Sequence, residues 1–107
     1  MSATVLIVDD EATLLSFLER ILADEGYETL VATTLAQAEQ QLETRHVDIL
    51  LLDLALPDGD GLSLLERITR QRADLPVIVL TAFGAVHSAV QAMKLGAFDY
   101  LTKPFGT

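Results

Sequence analysis

Three short runs in this chain contain no polar residue: Val5-Leu6-Ile7-Val8, Ile49-Leu50-Leu51-Leu52 and Val77-Ile78-Val79-Leu80. A strand with one wet face alternates apolar and polar residues, whereas a strand buried on both faces does not. Runs this short, built from Val, Ile and Leu, therefore predict parallel strands sandwiched between helices. Thr29–Ala32 and Tyr100–Thr102 are weaker strands of the same kind.

Amphipathic stretches separate these runs. Leu14, Leu15, Leu18, Ile21 and Leu22 recur at helical spacing, and Gly26 stops that helix. Thr34, with Gln37 three residues later, forms a capping box that opens a second helix with Leu35, Ala38 and Leu42 inward. Leu62, Leu65 and Ile68 mark a third helix, and Val86, Val90 and Met93 a fourth, closed by Gly96. Strict alternation of strand and helix predicts an α/β doubly wound fold, a flavodoxin-like five-stranded parallel sheet of order 2-1-3-4-5. Only Pro104-Phe105-Gly106-Thr107 follow the fifth strand, so the final helix of such a sheet is expected to be missing. The 107 residues then read as one domain, 1–107, truncated at its C-terminus and cut from a longer protein.

Composition narrows the function classes. Cysteine is absent, which removes disulfides, thiolate metal sites and cysteine nucleophiles. The net charge of −9 repels phosphate backbones and anionic lipid, so no direct nucleic-acid binding and no membrane contact are expected of this segment. No apolar run approaches the ~20 residues of a bilayer span. Met1-Ser2-Ala3-Thr4 lacks the basic region and cleavage site of a signal peptide, and the expected compartment is the cytoplasm.

Ligands of open α/β sheets bind beyond the carboxyl ends of the strands, where the strand order reverses. Strand one ends in Asp9-Asp10, strand three in Asp53 and strand four in Thr81, and strand five runs into Lys103-Pro104. Taken singly, Asp10 or Thr81 reads as a helix cap and Lys103 as a surface residue. Capping does not account for Asp53, because Leu54 to Gly59 separate it from the Leu62 helix. Taken together, these side chains converge on one crevice. Three crowded carboxylates repel and call for a cation, and an oxygen-only donor set suits Mg²⁺. His46 and His87 have no ligand-like spacing to each other, and Asp58-Gly59-Asp60-Gly61 departs from a calcium loop at Leu62 and Ser63, so it reads as a turn.

The set Val5-Leu6-Ile7-Val8-Asp9-Asp10-Glu11, Leu51-Leu52-Asp53-Leu54 with Leu56-Pro57-Asp58-Gly59-Asp60-Gly61, Val79-Leu80-Thr81-Ala82 and Tyr100-Leu101-Thr102-Lys103-Pro104-Phe105 resembles the response-regulator receiver domain of two-component systems. The likeness runs from about Val5 to Phe105, and Thr81–Tyr100 is further similar to receivers of NtrC-like activators. The resemblance implies that Asp53 takes a phosphoryl group from a sensor histidine kinase. It implies Mg²⁺ held by Asp10, Asp53 and the Ala55 carbonyl, with Asp9 acting through water. Lys103 and Thr81 would then contact the phosphoryl oxygens, and Tyr100 would be the switch aromatic turning inward behind Thr81. It implies a cis peptide at Lys103–Pro104, which X-Pro bonds alone readily accommodate. On this reading the chain is a regulatory domain that assists its own phosphotransfer and dephosphorylation, not an enzyme. Ala55 and Phe83 carry no group to position water, so a long-lived acyl phosphate is expected. Sheet surface left bare by a missing helix predicts a homodimer or a domain-swapped assembly. A phosphatase of the haloacid-dehalogenase type shares the apolar run and Asp9, but Glu11 stands where its second aspartate belongs, and it leaves Asp53 without a role.

Overall fold

A computed structural model gives the fold and describes residues 2–82 and 85–103. The Lys103–Pro104 peptide and Phe83 lie outside the described residues. Five parallel strands, β1 (Thr4–Val8), β2 (Glu28–Ala32), β3 (Ile49–Asp53), β6 (Val77–Thr81) and β7 (Asp99–Thr102), form one sheet in the order β2-β1-β3-β6-β7. This is the predicted 2-1-3-4-5 order. The extra numerals come from a two-stranded antiparallel hairpin, β4 (Ala55–Leu56) and β5 (Gly59–Asp60), where the sequence reads only as a turn.

Four helices, α1 (Ala12–Asp24), α2 (Leu35–Thr44), α3 (Gly61–Gln71) and α4 (Val86–Lys94), cover the sheet unequally. Successive side chains of a strand face opposite ways. Leu6, Val8, Leu50, Leu52, Val77 and Val79 therefore pack with Ala38 of α2, Leu64, Leu65 and Ile68 of α3, and Ala92 of α4. On the other face, Val5, Ile7, Leu51 and Leu80 meet Leu15 and Leu18 of α1. That face has only α1 among the described helices, and Leu101 on β7 stays 41% exposed. Each fully buried aliphatic side chain contributes about 1.5–3 kcal/mol, so the pure Val/Ile/Leu runs of β1, β3 and β6 dominate stability.

One helix start differs in detail from the sequence reading, and the end of α1 matches it. Thr34 Oγ1 accepts from Gln37 N at 3.1 Å, as a capping box requires, but Gln37 Oε1 reaches past Thr34 to Thr33 N at 2.8 Å. Gly26 ends α1 at φ +91°, in the left-handed region that glycine enters without steric cost.

The fourth helix presents a different face from the one its spacing marks. Val86, Val90 and Met93 are 69%, 45% and 41% exposed, while Ala89 and Ala92 are buried. Both stripes are apolar, so periodicity alone does not rank them; the small alanines let α4 approach β6 and β7 closely. Ile21 of α1, also marked as inward, is 42% exposed because that face of the sheet carries no second helix among the described residues.

Candidate functional site

The carboxyl ends of β1, β3, β6 and β7 are held in register. Asp9 N donates to Ala32 O at 3.0 Å, which continues the β1–β2 ladder one residue beyond β1. Lys103 N donates to Thr81 O at 2.7 Å and does the same for β6–β7. Asp53 is the last residue of β3 and pairs with Leu80. The side chains that follow are therefore aimed by sheet geometry rather than by loops.

Asp9, Asp10 and Asp53 each offer a carboxylate oxygen, all within 4.8 Å of one another. Asp9 is fully buried and Asp53 is 6% exposed, whereas Asp10 is open to solvent. Both buried acids bind the backbone two residues on: Asp9 Oδ1 accepts from Glu11 N at 2.9 Å, and Asp53 Oδ1 from Ala55 N at 3.0 Å. These local bonds fix each carboxylate and leave its second oxygen facing Lys103. Lys103 Nζ donates to Asp53 Oδ2 at 3.1 Å and lies 2.7 Å from Asp9 Oδ2. Asp9 Oδ2 is fully buried, and the Lys103 ammonium is its close partner among the described residues.

Burial pushes the Asp53 carboxyl above its usual range. The Ala55 N–H and Lys103 counter this in part, and the Asp9 charge adds to it. Burial by itself would lower Lys103, but the Asp9 and Asp53 carboxylates outweigh it and hold the ammonium above its ordinary value. Three carboxylates against one ammonium leave two negative charges unmatched in the ionised site. Oxygen-only donors and a residual charge of that size together fit a divalent cation.

The predicted site residues lie at this end of the sheet except Tyr100, which pairs with Val79 in mid-strand, and not all of them touch. Thr81 is 4% exposed, and its hydroxyl makes only a 3.5 Å bond to Leu101 O, at the limit of such a contact. Tyr100 does not pack in the core: it is 44% exposed and lines a cavity of about 590 Å³ with Thr81, Ala89, Val90 and Met93. Ala55 opens the hairpin two residues beyond Asp53. Neither Asp10 nor Thr81 caps a helix; α1 begins after Glu11 without a side-chain cap. Sequence reasoning gave Glu11 no place here, yet its carboxylate lies 3.7 Å from Lys103 Nζ. Its position next to the Asp9-Asp10 pair was the only signal for it.

A dinucleotide-binding sheet would follow β1 with a glycine-rich turn. This one follows it with Asp-Asp-Glu and faces a lysine, which defines an acidic class of doubly wound domain. The chain belongs to the response regulator receiver domain family, whose model it matches over residues 5–107, and so to the phosphoacceptor domains of two-component signalling. It is 44% identical over 101 residues to the transcriptional regulatory protein BasR of Escherichia coli, covering 94% of this chain and 46% of BasR. It is 41% identical over 99 residues to the response regulator protein PilR of Pseudomonas aeruginosa, covering 92% of this chain and 22% of PilR. The chain thus spans less than half the length of either relative. Among solved structures, the receiver domain of NtrX from Brucella abortus superposes with a TM-score of 0.89 at 36% identity, over 95% of this chain and 87% of that one. A CheY-like receiver from Methanospirillum hungatei reaches 0.91 at 31% identity, over 99% and 85%.

Proposed function

We propose that Asp53 is the phosphoacceptor, and that its donor is a phosphohistidine on a sensor kinase. One observation carries this reading. Asp53 is buried at the end of a central strand with Oδ1 fixed by Ala55 N–H and Oδ2 by Lys103, beside a pair of further carboxylates. A carboxylate oxygen of Asp53 attacks phosphorus while the P–N bond to the imidazole breaks, and the departing histidine keeps the electron pair. The products are an acyl phosphate on Asp53 and a free histidine. Positioning and charge neutralisation do most of the work in phosphoryl transfer. Lys103, already placed between Asp9 and Asp53, is the fixed positive charge for the phosphoryl oxygens, and the weakly bonded Thr81 hydroxyl is free to donate to them.

Asp10, Asp53 and the Ala55 carbonyl would hold Mg²⁺, with Asp9 assisting; bound there, the ion would neutralise charge on the phosphoryl group. New donor contacts to the phosphoryl group bias Thr81, and through the shared cavity Tyr100, toward an inward arrangement. In this reading residues 1–107 are one receiver domain of a longer cytoplasmic regulator. The domain is regulatory, not a free-standing enzyme. Its exposed apolar surface supports self-association, by dimerisation or by exchange of an element, and its −9 charge argues against nucleic-acid contact. No helix among the described residues is long and apolar enough to cross a membrane.

Incubation with acetyl phosphate and Mg²⁺, followed by intact-mass and peptide analysis, tests the assignment. The expected result is one added phosphoryl group on the Asp53 peptide, abolished by EDTA and by Asp53→Asn. Label on Asp9 or Asp10 overturns it.

A further inference from the structure

Asp58 lies at the tip of the β4–β5 hairpin, yet its carboxylate serves another element. Oδ1 accepts from Leu35 N at 2.8 Å and Oδ2 from Ala36 N at 3.1 Å, so both oxygens cap the N-terminus of α2 from 23 and 22 positions away. The first N–H groups of a helix have no partner within it. Thr34 satisfies the Gln37 N–H, and Asp58 satisfies two more. The first turn of α2 contains no acidic residue of its own, so Asp58 also supplies the negative charge that the positive helix end favours. The hairpin is seated as well as bonded: a Cβ at Gly59 would come within 3.0 Å of Leu35 Cδ1.

The other end of the hairpin is the phosphoacceptor loop. Ala55 pairs with Asp60, and Ala55 N–H holds Asp53 Oδ1. A continuous path therefore runs from α2, anchored on the sheet by buried Ala38, through Asp58 and the hairpin to the Ala55 peptide and Asp53. We infer that Asp58 is a positioning residue: by pinning the hairpin to α2 it fixes the Ala55 peptide, and with it the Asp53 carboxylate and the cation site. This rests on the assignment of Asp53 and its neighbours proposed above.

The test compares wild type with Asp58→Ala, Asp58→Asn and Thr34→Ala. Calorimetric Mg²⁺ titration is one readout, and amide hydrogen exchange in EDTA is the second. Loss of a residue that orients a metal ligand lowers metal affinity by about 10–100-fold. Asp58→Ala is expected to weaken Mg²⁺ binding about tenfold and to speed exchange at Ala55, Leu35 and Ala36. Asp58→Asn, which keeps one acceptor oxygen, should fall between. Thr34→Ala weakens α2 but does not touch the hairpin, and should leave Mg²⁺ affinity unchanged. Unchanged Ala55 exchange in Asp58→Ala overturns the inference, as does equal weakening of Mg²⁺ binding by Asp58→Ala and Thr34→Ala. Failure of the wild type to bind Mg²⁺ instead overturns the underlying site assignment, while the exchange data still judge the strut.

Discussion

At the residue scale the site is a balance between burial and charge. Asp53 is costly to ionise where it sits, because burial and the Asp9 charge together exceed the help from Ala55 N–H and Lys103. A carboxyl whose folded pKa is raised binds its proton more tightly in the native state, so its share of stability falls as pH rises from 3.8 through the folded value. Above the folded value, without metal, that penalty is fully present. Asp53→Asn removes the charge and keeps the shape. Its melting temperature in EDTA at pH 7 is expected to exceed that of wild type. The difference should vanish toward pH 3 and shrink when Mg²⁺ is added to wild type. A lower melting temperature for the variant would show that the Lys103 contact outweighs the crowding. The strand-end acids and lysine were legible because a strand end is visible as the close of an apolar run. Asp58 was not legible as a cap, because its partners lie 22 and 23 positions away and local capping patterns span only a few residues.

At the element scale, the hairpin and the start of α3 decide where the loop after Asp53 lies. Gly61 N donates to Leu54 O at 2.9 Å, and Asp60 caps α3 through its bond to Leu62 N. A Cβ at Gly61 would stand 2.7 Å from Asp53 O and 2.9 Å from Leu54 Cα, both backbone atoms that cannot swing aside. Alanine favours a helix over glycine by about 1 kcal/mol, but forced overpacking costs about 1–3 kcal/mol. The clash wins because it is against backbone. Gly61→Ala is therefore expected to lower the unfolding midpoint and slow phosphorylation of Asp53 together, as chemical denaturation and acetyl phosphate labelling would show. Wild-type stability would indicate that the loop relaxes freely. The main strands were readable as short unbroken apolar runs, and the four helices because each repeats one period over several residues. Strands of two residues carry no period, so β4 and β5 were invisible, and α4 had two apolar stripes that periodicity could not rank.

At the scale of the whole molecule, two surface properties oppose each other. Val86, Val90 and Met93 form an exposed stripe on α4 beside half-exposed Tyr100, which favours burial against another surface. A net charge of −9 on every copy resists that burial. The repulsion is screened over a Debye length that falls from about 30 Å at 0.01 M salt to about 8 Å at 0.15 M, whereas apolar burial persists. If the stripe drives self-association, raising salt across that range should increase the mean mass in sedimentation equilibrium at fixed protein concentration. Val90→Glu should restore the monomer by placing a charge in the stripe. It should leave thermal stability within about 0.5 kcal/mol of wild type, because the position is exposed. A monodisperse monomer at both salt concentrations would mean that the stripe faces water in this chain alone. Association that survives Val90→Glu would place the contact on the other face of the sheet, at Leu101 and Ile21, where α1 leaves apolar surface uncovered.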